Sequence, residues 1–359
     1  MSPSLQRRRT PVAATPVAFV QAIVLAYRLR GADPCDALAE AGLSLAQLQQ
    51  PGLRITSLPF ERLAARAMRE LDDEALGWFT RRLPWGSYGM LARASLTAPD
   101  LGVALRRWCR HHALLTDDLV LSLQIEGATA TLTLHERQAP GAAWPDVAER
   151  AILREFAHVS LLRNALGLAA WLIDSRLPLL EVALAYPAPA HADVYALLFP
   201  GATIRFGAVA TQVRLAAHCL REPLRRDDAA LRAMLTQAVR LMVRPYRHDR
   251  LLLERARQAL RAQPGADTEA LARQLHVSPR TLQRQLRAAG TTLQALRDRV
   301  RRERAEALLL RTPWPIKRIA AEVGFANDKS FLRAFRTWTG LSPSQWRRQG
   351  RYPVDGHES

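Results

Sequence analysis

Two sets of polar residues near the C-terminus have the right types and spacing to read DNA bases. The first is Arg280, Gln283, Arg284 and Arg287; the second is Lys329, Ser330, Arg333 and Arg336. Arginine grips guanine O6 and N7 in bidentate fashion, and glutamine does the same to adenine N6 and N7. Arg280, Gln283, Arg284, Lys329, Ser330 and Arg333 are therefore the expected base contacts. Arg287 and Arg336, with Thr281, are expected at phosphates, which give affinity without sequence information.

Such groups work only if short helices present them outward. Residues 268–286 read TEALARQLHVSPRTLQRQL and residues 316–335 read IKRIAAEVGFANDKSFLRAF. Leu271, Ala272, Leu275 and Val277 recur 48 residues later as Ile319, Ala320, Val323 and Phe325. Beyond the turn the offset is 49, matching Leu282, Arg284 and Leu286 to Phe331, Arg333 and Phe335. One extra residue in the second turn accounts for the change. Thr268 and Ser278 are expected N-caps, and Pro279 occupies a first-turn position where proline is tolerated. Asp328, acidic beside phosphates, is expected to cap rather than to touch DNA. Either copy alone also fits a helical hairpin with a solvated basic face. Two copies in phase favour a tandem helix-turn-helix inside one domain.

Between the copies, residues 291–310 read as one helix, with Leu293, Leu296, Val300, Ala307 and Leu308 at near-helical spacing. Arg297, Arg299, Arg301, Arg302 and Arg304 lie among them and are expected to add phosphate contacts. Such a helix spans roughly 30 Å, close to the ~34 Å turn of B-DNA. A single chain could thus place two recognition helices in successive major grooves.

The charge agrees. The 359-residue chain has a net charge of +18, and residues 240–351 hold 25 Arg and Lys against 9 Asp and Glu. A basic domain behind a near-neutral one points to nucleic acid. Three isolated cysteines, Cys35, Cys109 and Cys219, form neither a disulfide framework nor a zinc pattern. A reducing cytoplasm is the expected compartment. Arg7, Arg8 and Arg9 precede an apolar run, but prolines interrupt it and no signal cleavage site follows. No segment reaches the ~20 apolar residues of a membrane span.

No nucleophile elbow, P-loop or dinucleotide fingerprint is present, so no catalytic residue, cofactor or metal is expected. His111 and His112 are adjacent, hence on different helix faces. Trp85, Tyr88 and Trp108 are candidates for an effector pocket, with Trp144 and Trp171 as further aromatics; aromatic residues in an α+β domain are more often core. Arg81, Arg82, Arg106 and Arg107 fit either an anionic effector or a solvated face.

The N-terminal part begins with helices expected at 17–30, 33–41, 45–50 and 59–71. Between 119 and 135 the apolar period changes to two, which predicts a hairpin. A helix over 145–166, strands at 181–185, 204–206 and 212–215, and one helix over 227–243 complete an α+β domain. Arg244-Pro245-Tyr246 breaks that last helix and is the expected hinge.

The C-terminal motifs carry a family resemblance. RTLQRQL, the arginine-rich connector ending in AEALLL, and IKRIAAEVGFANDKSFLRAFRTWTGLSPSQWR resemble the DNA-binding domain of AraC/XylS transcription regulators. The run from Gly31 to Leu43, then RITSLPF, LPWGSYGMLARASLTAPDLGVALRRW and the segment from Tyr186, resemble the effector domain loosely called arabinose-binding. The resemblance implies the same base-reading positions, a homodimer, double-stranded DNA and RNA polymerase as partners, and a small-molecule effector.

The expected layout is a basic tail over 1–14, an effector or dimerisation domain over 15–228, a helix and hinge over 229–249, a DNA-binding domain over 250–349 and a tail over 350–359. The fold class is an α+β N-terminal effector domain followed by an all-α domain with two helix-turn-helix units joined by a long helix. The function implied is a cytoplasmic, sequence-specific transcription regulator, an activator, gated by its N-terminal domain. A nonspecific architectural DNA-binding protein and an enzyme fused to a DNA-targeting module remain as alternatives.

Overall fold

The computed structural model describes residues 15–349 apart from positions 51, 143, 145 and 247. The two expected tails lie outside the described residues. The chain divides into two units, Met1–Tyr246 and Arg247–Ser359.

The first unit is α+β. It opens with β1 (Thr15–Pro16), α1 (Val17–Leu29), α2 (Cys35–Glu40), α3 (Leu45–Leu48), β2 (Arg54–Ile55) and α4 (Ser57–Glu70), with β1 and β2 paired antiparallel. α5 (Ser87–Leu96) and α6 (Leu101–His112) precede the hairpin of β3 (Leu119–Glu126) and β4 (Thr129–Glu136). Leu121 pairs with Leu134 and Leu123 with Leu132, so the alternation sets the register, and Gly127 takes a φ of 59° in the turn. α7 (Val147–Leu172) follows, capped by the Asp146 carboxylate on the Glu149 amide. Next come β5 (Leu179–Leu184), α8 (Tyr195–Leu198), β6 (Thr203–Phe206) and β7 (Thr211–Ala216). The sheet order is β3-β4-β7-β5-β6, antiparallel except for the β5–β6 pair.

α7 is the spine of this unit and packs against α1, α6 and α10. The loop between α4 and α5 is organised by Asp73, which is fully buried. Its carboxylate accepts from the amides of Ala75, Gly77 and Leu83 and from Arg30 at 2.7 Å. That carboxylate satisfies backbone donors which a buried loop would otherwise leave unpaired.

The single helix expected over 227–243 is two: α9 (Asp228–Leu235) and α10 (Ala238–Val243). The Thr236 hydroxyl donates to the Ala233 carbonyl, and Gln237 leaves the helical region at φ −130°. Side-chain competition for a backbone acceptor is what such a residue does inside a helix. Tyr246 belongs to the first unit. Its hydroxyl donates to Asp174 at 2.5 Å and accepts from Arg226 at 2.7 Å, while Arg176 holds its carbonyl.

The second unit is all helical: α11 (Arg250–Ala262), α12 (Thr268–Gln274), α13 (Pro279–Ala288), α14 (Leu293–Arg311), α15 (Ile316–Glu322), α16 (Asp328–Thr339) and α17 (Pro343–Gln349). It has two cores. Leu252, Ala256, Leu260, Leu271, Leu275, Leu282 and Leu286 form the first, with Leu296 and Val300 from the N-terminal half of α14. Ile319, Val323, Phe331 and Phe335 form the second, with Ala305 and Leu309 from its C-terminal half. One helix therefore belongs to both cores. Ala305 and Leu309 are its buried residues here, whereas Ala307 and Leu308, expected from the spacing, are only half-buried.

Candidate nucleic-acid interface

Two helix-turn-helix units, α12–α13 and α15–α16, present the base-reading candidates. In the first, Asp267 rather than Thr268 is the N-cap of α12, its carboxylate accepting from the Ala270 amide at 2.7 Å. Thr268 is already the first helical residue, so its hydroxyl has passed the capping position. Ser278 caps α13 through the Thr281 amide at 3.1 Å, with Pro279 at the first helical position. Leu282 and Leu286 are buried, and Arg280, Gln283, Arg284 and Arg287 are exposed. Thr281 is half-buried, and its hydroxyl accepts from Ser278 at 2.9 Å.

The second unit repeats this with one difference in the turn. His276 takes a left-handed φ of 55° after α12, and Gly324 takes 83° at the equivalent place after α15. Ala326 is the extra residue that changes the offset from 48 to 49. Asn327 caps α16 through the Ser330 amide at 2.8 Å. Asp328, expected as the cap, is the first helical residue and accepts from the adjoining Lys329 amide. A carboxylate there still favours the helix N-terminus. Lys329, Ser330, Arg333 and Arg336 are exposed, and Phe331 and Phe335 are buried.

The cations of these two helices differ from those of α14. Among the described residues, the side chains of Arg280, Arg284, Arg287, Lys329, Arg333 and Arg336 make no ion pair or hydrogen bond with the protein. Four of the five connector arginines, expected at phosphates, are instead turned onto the protein. Arg297 donates to the Ala266 carbonyl at 2.7 Å, and Arg302 to the Trp338 carbonyl at 2.9 Å and to Glu306 at 2.7 Å. Arg304 donates to the Arg261 carbonyl at 2.8 Å and pairs with Glu322. Arg301 reaches the carbonyls of Pro264 at 3.2 Å and Gly324 at 2.8 Å, with its guanidinium 4.8 Å from the Phe325 ring centroid. Half-buried carbonyls at helix and turn ends need donors, and guanidinium forks supply them. Sequence reasoning missed this work. The signal available was the glycine of the Gly324-Phe325 turn, 23 residues from Arg301.

The other end of the second core is fastened similarly. Arg347 on α17 donates to the carbonyls of Leu309 at 3.2 Å and Trp314 at 2.6 Å.

The effector candidates part company in the first unit. Tyr88 and Trp108 are buried and line one cavity, together with Glu74, Trp78, His112 and Met242. Trp85 is not there. It is half exposed, with Arg69 over its ring at 5.9 Å. Trp144 and Trp171 lie under Arg28 and Arg226, at 5.2 and 5.3 Å. Arg81, Arg82 and Arg106 are exposed, and Arg107 bonds Thr97 at 3.0 Å. His112 stacks on Trp108 at 5.0 Å and is buried, whereas His111 is half-buried. No cluster of metal-ligating side chains occurs among the described residues. Burial pushes the Cys109 and Cys219 thiols up to about 12. No helix among the described residues is long and apolar enough to cross a membrane.

Comparison with known proteins agrees in both units. Residues 31–224 match the "Arabinose-binding domain of AraC transcription regulator, N-term", and residues 271–349 match a helix-turn-helix domain. The chain is 31% identical to the ornithine utilization regulator of Pseudomonas aeruginosa over 335 residues, which are 92% of this chain and 96% of that one. It is 41% identical to the transcriptional regulator VqsM of the same species over 76 residues, 21% of this chain and 23% of that one. The crystal structure of the P. aeruginosa transcriptional regulator CdpR aligns at 22% identity and a TM-score of 0.33, over 88% of this chain and 96% of that one. With an effector domain of this type ahead of paired helix-turn-helix units, the chain belongs to the AraC family of DNA-binding transcription regulators.

Proposed function

We propose that α13 and α16 read two adjacent major-groove segments of one operator. Arg280, Gln283, Arg284, Lys329, Ser330 and Arg333 contact base edges, and Thr281, Arg287 and Arg336 contact phosphates. The observation that carries this reading is the contrast in the second unit. Four of the five connector arginines are occupied by protein carbonyls, whereas those on both recognition helices are exposed and, among the described residues, unpaired. A connector of 19 residues spans about 28 Å at 1.5 Å per residue, near the ~34 Å separation of half-sites one helical turn apart.

In this reading the chain acts in the cytoplasm as a homodimeric activator that contacts RNA polymerase and has no enzymatic activity. The first unit binds a small molecule, and the expected hinge near Pro245 is the point through which it acts. The name of the ornithine utilization regulator supports an amino acid as the class of effector. Selection from random duplexes tests the operator reading. The expected product is a consensus with two half-sites about 10 base pairs apart. Retention of all sequences equally would make the protein a nonspecific binder.

A further inference from the structure

Among the described residues, four polar atoms are buried without a hydrogen-bond partner around the cavity that Tyr88 and Trp108 share. They are Trp78 Nε1, Tyr88 Oη, Trp108 Nε1 and His112 Nδ1. The four residues are 4, 5, 2 and 2% exposed. Buried polar groups are nearly always paired, and several unpaired ones around a single space call for a reason. Two are indole N–H groups, which can only donate, so the space asks for an acceptor.

The lining carries one acidic side chain, Glu74, and a buried cation, Arg163, lies outside the lining on α7. Glu74 lines the cavity, its two oxygens accepting from the Gly86 and Tyr88 amides at 2.8 and 2.6 Å. Arg163, buried on α7, donates to the carbonyls of Met242, Leu198 and Leu241 at 3.1, 3.2 and 3.4 Å. It makes no ion pair with a carboxylate among the described residues. Burial, with Glu74 adding to it, pushes the Tyr88 phenol well above its ordinary range. Aromatic faces attract ammonium groups, while indole edges and a buried cation attract carboxylates.

We propose that this cavity is the effector site and that it takes a small α-amino acid. The carboxylate meets the Trp78 and Trp108 N–H groups and the Tyr88 hydroxyl, and the ammonium faces Glu74 and the rings. This rests on the reading of the first unit as an effector domain.

The cavity as it stands is about 30 Å³, room for one or two water-sized groups. A ligand must therefore displace a wall. One wall is Met242 on α10, the last helix of the first unit. α10 is seated closely on α7: a Cβ on Gly167 would lie 2.8 Å from the Leu241 carbonyl oxygen. Ligand entry and the position of α10 are linked through that seat, which gives the effector purchase on the helix preceding the DNA-binding unit.

The test uses the full chain, tryptophan fluorescence and affinity for the selected duplex. Probes are L-ornithine, L-arginine and L-alanine, with acetate and butylamine as the separated halves. At least one amino acid is expected to change the fluorescence at concentrations where acetate and butylamine do not. Tyr88→Phe, which removes a hydroxyl with no partner, and Trp108→Phe should each weaken that probe about three- to tenfold. Trp85→Ala should bind it as wild type does. Gly167→Ala should move the probe-free affinity for DNA toward the probe-bound value. Binding unchanged by Tyr88→Phe and Trp108→Phe would put the effector elsewhere. No response to any probe, in a chain that still selects DNA, would make the cavity a hydration site and leave the regulator intact. Loss of DNA selectivity with probe binding preserved would overturn the operator reading alone.

Discussion

The Arg301 guanidinium donates to the Gly324 carbonyl at 2.8 Å and, through the same nitrogen, to the Pro264 carbonyl at 3.2 Å. Pro264 precedes the first helix-turn-helix and Gly324 is the turn of the second, so one side chain ties the two together. A Cβ on Gly324 would come within 2.8 Å of the Pro264 Cβ. The contact between the two cores is thus built around the absence of a side chain.

Arg301→Ala should therefore loosen the spacing of the half-sites before it removes DNA binding. Operators selected by this variant are expected to tolerate insertion of one or two base pairs between half-sites, where wild type does not. Equal tolerance in both proteins would mean that α14 alone sets the spacing. Gly324→Ala combines a φ of 83° with this clash and should destabilise the second unit by about 1–3 kcal/mol, read by urea denaturation.

Asp267, Ser278 and Asn327 each satisfy an orphan amide at a helix start. Alanine at any of the three should cost about 1 kcal/mol. Thr268→Ala should stay within about 0.5 kcal/mol. Equal losses at Asp267 and Thr268 would contradict the observed cap.

His112 predicts an acid-sensitive first unit. Burial lowers its imidazole from 6.5 to about 4, so between those pH values the unfolded chain binds a proton that the folded chain does not. Its contribution is present above pH 6.5 and is lost as pH falls toward 4, by an amount on the order of 3 kcal/mol. Urea midpoints at pH 7.5, 5.5 and 4.5 measure it, and His112→Gln should flatten that part of the profile. An unchanged profile in the variant would assign the acid sensitivity to other groups.

Some of this architecture is legible in the chain because its causes are local. The alternation from Leu119 to Leu134 announces the hairpin, and the doubled Leu/Arg/Leu and Phe/Arg/Phe pattern announces the two recognition helices. The two-domain AraC-type layout followed from motifs of the same local kind. Other features depend on partners far away in sequence. Nothing near β5 shows that it pairs parallel with β6 and antiparallel with β7. The connector arginines look alike in the sequence, and the carbonyls of Arg261, Pro264, Ala266, Gly324 and Trp338 separate the work of four of them from that of Arg284 and Arg333. Trp85 and Trp108 are equally aromatic on paper, and burial alone distinguishes them.

The measurement that bears most directly on the central claim is a salt titration of binding to the selected duplex and to random duplex, for wild type, Arg284→Ala, Arg333→Ala and Arg287→Ala. Arg284→Ala and Arg333→Ala should each lose about 1–3 kcal/mol on the selected duplex with little change on random DNA. Arg287→Ala should weaken both duplexes alike and reduce the salt slope by about one. If Arg284→Ala and Arg333→Ala weakened both duplexes equally, α13 and α16 would grip the backbone only, and sequence-specific reading by these helices would be contradicted.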